Sequence, residues 1–237
     1  MQILVTLGVW TCVSAGAWEV KSGPQRTGLL ELYTSEGCSS CPPAEEWLSG
    51  LRETKGLWDR FVPVAFHVDY WDGLGWEDRF ADAVFTVRQQ AYAKVWNAAT
   101  VYTPGMVWNG TELRNWLRFE PDIALSAARP GVLTARSVEN GVETVFSPAD
   151  EFSGGAVSVA WLGIGRKTDV KAGENRGRRL AHDFVVLKMR SVDLKSRENG
   201  KEWTARVEGG PPDADAVAVW VSGGNSPAPV QAAGGML

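Results

Sequence analysis

The sequence predicts an α/β unit over the first half of the chain and an antiparallel β-sandwich-like domain over the second. Three observations carry this. Two dense apolar runs, Leu29-Leu30-Glu31-Leu32-Tyr33 and Phe61 to Trp71, are each followed by helical patterning, the alternation of a parallel sheet. After Gly131 the chain changes to short strands punctuated by Gly, Pro, Asn and Asp, as in an antiparallel sandwich. Between the two lies a linker-like Arg129-Pro130-Gly131. The expected division is a leader over residues 1–17, an α/β domain over 18–129 and a β-rich domain over 130–237.

Composition narrows the function. The chain has 237 residues, a formal net charge of −4 and 44% hydrophobic residues, enough for one large domain or two small ones. Mild acidity without a basic run argues against a nucleic-acid partner. The 12 tryptophans are scattered, as packing residues are, and do not mark a ligand platform. Ile3 to Val13 is short and apolar, and Ser14-Ala15-Gly16-Ala17 supplies small residues for cleavage, so the N-terminus reads as a secretory leader. It lacks Lys and Arg. Cys12 opens a lipoprotein reading in which it is acylated, although Val9-Trp10-Thr11 before it is bulky; a buried N-terminal strand is the remaining alternative. No transmembrane segment is expected in the mature chain, and its expected location is periplasmic or secreted. Cleavage after Ala17 leaves only Cys38 and Cys41, in an oxidising compartment.

The elements follow in order. Residues 29–34 read as a buried strand. Pro42 and Pro43 suit the first turn of a helix, Glu45 and Glu46 complement its positive end, and Trp47, Leu48 and Leu51 form its apolar stripe. Phe61 to Trp71 is a second strand, dense enough for burial on both faces. From Ala81 to Ala98 the period is helical, with Val84, Val87, Ala91 and Val95 on one face. Met106-Val107-Trp108 and the Asn109-Gly110 turn fit a hairpin. Glu112 to Ala128 suits a helix interrupted by Pro121, with Asp122 as N-cap of its second piece. Strands are expected at 132–138 and 142–146 around Asn140-Gly141, and at 156–164, 184–189, 203–207 and 216–221. The tail from Gly223 is small and polar, a segment that frays.

Cys38-Ser39-Ser40-Cys41 is the most informative motif. Two thiols at this spacing, between a strand and a helix start, are placed to form and break a disulfide. Cys38 is expected to face solvent as the attacking thiol, and Cys41 to be shielded as the resolving one. Glu36, Glu45 and Glu46 oppose a thiolate. A purely structural bridge over so short a loop removes little unfolded-state entropy, yet an inert clip remains an alternative. Thr103-Pro104 is the second element, because X-Pro bonds adopt cis far more readily than others. The third is His67-Val68-Asp69-Tyr70-Trp71-Asp72, at the end of a parallel strand, where ligands of open sheets gather. Period-two counting puts His67, Asp69 and Trp71 on one side. His67 could move protons, sit hydrogen-bonded in the core, or join Cys38 and Cys41 in a copper or zinc site. Glu31 leads into the motif from an undetermined face. The Arg-rich stretch from Glu174 to His182 could bind an anion or dock against the first half, or simply be a solvated loop.

The C-x-x-C on a helix start, with Thr103-Pro104 before a later strand, resembles thioredoxin-like proteins, in which such a proline packs against the dithiol and the preceding residue pairs with substrate backbone. The segments Glu31 to Ala44, His67 to Asp72, Leu74-Gly75-Trp76, Val101 to Pro104, Gly173 to Leu180 and His182 to Val186 resemble one secreted thioredoxin-like family, domain of unknown function 1223. The resemblance covers roughly residues 28 to 235, with Gly105 a departure where a bulkier polar residue is expected. It implies a thioredoxin-like N-terminal domain before the β-sandwich-like one. The expected activity is thiol–disulfide oxidoreductase chemistry on a disulfide-bearing protein or small thiol, with Cys38 and Cys41 catalytic and Thr103 and Pro104 holding substrate. Glu36, His67, Asp69, Tyr70 and Trp71 would border the site, with no cofactor and no metal. The alternatives are a non-catalytic binding protein clipped by Cys38–Cys41, and a copper or zinc carrier.

Overall fold

A computed structural model describes residues 17–124, 126–197 and 200–237. The expected leader, with Cys12, lies outside the described residues apart from Ala17. The chain opens with β1 (Glu19–Lys21) and β2 (Gly28–Thr34), and the cysteine loop leads into helix α1 (Pro42–Gly50). β3 (Phe61–His67) passes through a 3-10 turn at Asp69–Leu74 to α2 (Ala83–Val95), and β4 (Gly105–Trp108) turns back into β5 (Thr111–Glu112). The later strands are β6 (Gly131–Val138), β7 (Gly141–Pro148), β8 (Gly155–Gly163), β9 (Arg166–Asp169), β10 (Arg179–His182), β11 (Val185–Asp193), β12 (Lys195–Arg197), β13 (Glu202–Glu208), β14 (Ala216–Gly223) and β15 (Pro229–Met236).

Eight strands form one mixed sheet in the order β15-β14-β8-β11-β3-β2-β4-β5, and five form a second, β1-β6-β7-β13-β12. β9 and β10 pair separately. Parallel pairing joins β2 to β3 and β3 to β11; the other pairs are antiparallel. The expected α/β class, a thioredoxin-like domain followed by a separate sandwich, is therefore corrected. Of the described residues 42% are strand and 16% helix, with large sheets in a β-sandwich-like arrangement and no thioredoxin α/β arrangement evident among them. The physical reason lies at β3. It is buried along its whole length and needs a neighbour on each edge. β2 supplies one edge, and β11, from the far half of the chain, supplies the other.

The two faces of β2 and β3 separate by alternation. Leu29, Tyr33, Val62, Val64 and Phe66 pack with Phe85 and Tyr92 of α2. Leu30, Leu32, Phe61 and Ala65 pack with Ala44 and Leu48 of α1. A third core, including Phe146, Val159, Val219 and Ala233, fills the space between the two large sheets.

Three sequence expectations shift for identifiable reasons. The α2 face is offset: Val87 and Val95 are each 61% exposed, while Phe85, Gln89, Tyr92 and Ala93 are buried. The aromatic pair on the sheet outweighs the valine stripe, because each aromatic ring buries more area. Arg88 adds to the choice, forming two bonds of 2.7 and 3.0 Å to the buried Glu31 carboxylate. The helix expected between Glu112 and Ala128 reduces to a 3-10 turn at Trp116–Arg118, where Trp116 and Phe119 pack on the α1-side core and Pro121 bars continuation. The tail does not fray but forms β15. Its small residues are required, since a Cβ on Gly234 would stand 2.8 Å from the Trp58 ring.

Arg88→Met leaves the Glu31 carboxylate buried without its countercharge, held only by the Tyr33 and Tyr92 hydroxyls. Urea unfolding is expected to show a loss of about 3–5 kcal/mol, whereas Val87→Ala on the exposed face changes stability by less than about 0.5 kcal/mol.

Candidate functional site

Cys38 and Cys41 are joined by a disulfide, with their Cα atoms 5.5 Å apart. Cys41 is the N-cap of α1, and its carbonyl accepts from the N–H groups of Ala44 and Glu45. Both cysteines are 0% exposed, so Cys38 does not face solvent as expected. The loop before β10 covers it. Asn175 Nδ2 donates to the carbonyls of Glu36 and Cys38, each at 2.9 Å. The neighbouring Glu174 carboxylate accepts from Ser39 N–H at 3.0 Å. The Glu174–His182 stretch thus docks on the cysteine loop. The exposed part of the motif is Ser39 and Ser40.

Trp71 ties this loop to the second element. Its Cβ would lie 3.2 Å from a Cβ on Gly37, and its indole N–H donates to Thr103 Oγ1 at 2.8 Å. The Thr103–Pro104 bond is cis. Gly105 pairs with Tyr33 and Met106 with Leu32, which sets Pro104 at the C-terminal end of β2. Gly105 is demanded by crowding, for a Cβ there would meet Tyr102 O at 2.9 Å and Gln89 Nε2 at 3.1 Å. A cavity of about 360 Å³ opens beside this segment, bounded by Tyr33, Gln89, Trp96, Tyr102 and Glu112; neither cysteine lines it.

The expected continuation of β3 through Trp71 ends early. The chain leaves the strand after His67 and enters the 3-10 turn, so His67, Asp69 and Trp71 do not share a strand face. Asp69 accepts from Thr86 Oγ1 at 2.5 Å. Tyr70 donates to Gln89 at 3.2 Å, and burial pushes its phenol up to about 12. Glu31 lies on the α2 face, bonded to Arg88, Tyr33 and Tyr92, so it does not underlie the dithiol.

The α1 face carries a buried polar cluster instead. Thr34 and His67 are paired neighbours at the ends of β2 and β3. Thr34 Oγ1 donates to Glu45 at 2.5 Å. His67 Nδ1 lies 2.6 Å from Asp78. The second carboxylate oxygen of Glu45 bonds His182 Nδ1, and His182 Nε2 lies 3.2 Å from Glu36 without hydrogen-bond alignment. Glu36 also accepts from the Trp76 indole at 2.7 Å, and its N–H donates to Asp78 at 2.8 Å. Burial opposes a charge on His182, but the adjacent carboxylates of Glu36 and Glu45 outweigh it and push its pKa up to about 10. Burial likewise opposes ionisation of Asp78, yet His67 and backbone donors bring it down to about 2. Glu45 is lowered against its burial by His182 and Thr34.

Of the residues singled out in the sequence, Glu36 and His67 join this cluster, and Trp71 and Thr103 meet each other. Glu45, Asp78, Asn175 and His182 were missed as site residues. A signal existed for His182: the chain has two histidines, and the other already drew attention.

A family model described as protein of unknown function, DUF1223, matches residues 29–222. A comparison with curated proteins finds no match. A structural-genomics crystal structure of a protein from Agrobacterium tumefaciens is similar at 25% identity and a TM-score of 0.62, covering 90% of this chain and 94% of that one. HBP35 of Porphyromonas gingivalis has a TM-score of 0.60 at 14% identity, covering 90% of this chain and 76% of that one; this likeness is one of fold.

Asn175→Ala removes two bonds of about 1 kcal/mol each from the cover. Reduction of the disulfide by dithiothreitol is expected to quicken by roughly 5- to 30-fold, followed by thiol titration. An unchanged rate would show that the cover does not limit access.

Proposed function

The chain belongs to this family of proteins of unknown function, and from its own site we propose that it is a periplasmic or secreted thiol–disulfide oxidoreductase. The observation that carries the reading is the Cys38–Cys41 disulfide at the start of α1, linked through Trp71 to Thr103-Pro104. In the reduced protein, Cys38 thiolate attacks a substrate disulfide. A Cys38–substrate bond forms, the substrate S–S bond breaks, and one substrate thiolate leaves. Cys41 thiolate then attacks Cys38 Sγ, forming the intramolecular disulfide and releasing the second substrate thiolate. Two electrons pass to the substrate, and an external dithiol restores the pair; the reverse sequence oxidises a dithiol substrate. Thr103 and Pro104 hold the substrate strand. The positive end of α1 favours the thiolate. His182 lies against both Glu36 and Glu45 and offsets one of their two negative charges. Among the described residues no helix is long and apolar enough to cross a membrane.

Burial of both sulfurs favours a second reading, a local clip in a non-catalytic binding protein. One experiment separates the two. Cys41→Ser, expressed in an oxidising compartment, is expected to accumulate mixed disulfides on Cys38 that dithiothreitol releases and that Cys38→Ser lacks. A clip predicts no such adducts, and partner capture that survives loss of both cysteines.

A further inference from the structure

We propose that the chain binds one divalent metal ion of the zinc type through Glu45, His67 and His182, beside the dithiol loop and without either cysteine. These three buried residues offer donor atoms that all lie within 4.8 Å of one another. They come from α1, the end of β3 and the end of β10, so three separate elements converge on one point.

The arrangement around the donors is that of oriented metal ligands. A metal-binding histidine usually gives its other ring nitrogen to a carboxylate. His67 Nδ1 is held by Asp78 at 2.6 Å. Its Nε2 is buried and has no partner, a rare condition for a polar atom at zero exposure. At His182, Glu36 stands 3.2 Å from Nε2 without hydrogen-bond alignment, and Nδ1 faces Glu45. Glu45 is itself fixed by Thr34 at 2.5 Å. Two imidazoles and one carboxylate, with an outer carboxylate behind each imidazole, make the three-ligand set that zinc completes with a fourth, exchangeable ligand. The set contains no sulfur, which disfavours copper(I). The carboxylates of Glu36, Glu45 and Asp78 supply the negative charge a divalent cation requires. The half-buried Phe80 ring flanks the two imidazoles, 5.4 Å from the His67 ring and 5.7 Å from that of His182.

The proposal goes beyond the thiol reading and does not depend on it. The full chain with its disulfide intact, stripped by chelator, is titrated with Zn²⁺ by calorimetry and with Co²⁺ by absorption spectroscopy. The expected result is one equivalent of either ion, Co²⁺ bands from nitrogen and oxygen ligands without a thiolate charge-transfer band, and binding retained within about threefold in the Cys38→Ala/Cys41→Ala double variant. Asp78→Asn, which removes the charge behind His67 and keeps the side chain's shape, is expected to weaken binding by roughly 10- to 100-fold. His67→Ala is expected to abolish binding and with it the rise in Tm that Zn²⁺ confers on the unaltered chain. Absence of a stoichiometric ion in the unaltered chain, a thiolate band, loss of binding with the cysteines, or unchanged binding in His67→Ala would each overturn the proposal. The spectrum of the unaltered chain decides the matter even if His67→Ala does not fold.

Discussion

Parallel pairing of β2 with β3, in a register that sets Thr34 beside His67, fixes where everything else in the site must go. Both strands are buried throughout, so a one-residue slip would carry every side chain to the opposite face. The register places Glu31 against α2 and Thr34 against α1. It also brings the two loops that leave the strand ends, the cysteine loop and the Asp69–Leu74 turn, to the same end of the sheet. That is where ligands of parallel strands gather. β4 then brings Pro104 to this end by pairing antiparallel with β2. β11 brings the later half of the chain: Val185 lies opposite Ala65, and Phe184, in the left-handed region at φ 58°, turns the chain so that His182 reaches Glu45.

The site is also an electrostatic problem that the fold solves locally. Glu36, Glu45, Asp78, His67 and His182 are all at least nine-tenths buried. Isolated charges there would cost several kcal/mol each. Each carboxylate therefore meets an imidazole, and Thr34, the Trp76 indole and backbone N–H groups take the remaining oxygens. The α2 face repeats the solution with Glu31, Arg88 and two tyrosines. The two networks lie on opposite faces of the same strand pair, so only the first shares a face with Cys41 and its helix.

Much of this was legible in the residues. The apolar density of 29–34 and 61–67, the two prolines opening α1 and the Asn140-Gly141 hairpin each act through local chemistry, and each element forms where that chemistry places it. What sequence could not show was long-range. Nothing local distinguishes a β3 bordered by a thioredoxin-like domain from one bordered by β11. The α2 face was misread because four valine and alanine positions fit the helical period as well as Phe85 and Tyr92 do; the sheet, not the period, chose between them. Glu45 looked like a residue placed for the helix dipole, and only the arrival of His182 from 137 positions away makes it a buried partner. The cover over Cys38 has the same origin, since Asn175 acts across a comparable separation.

The proposed function requires that the Cys38–Cys41 pair exchange disulfides. The measurement that tests it most directly is the reduction potential of the pair, equilibrated against glutathione or dithiothreitol buffers and read by thiol alkylation. A catalytic pair is expected to give a value within roughly −270 to −120 mV. A value below about −300 mV, as in resistant structural bridges, would contradict it and leave the disulfide as a clip.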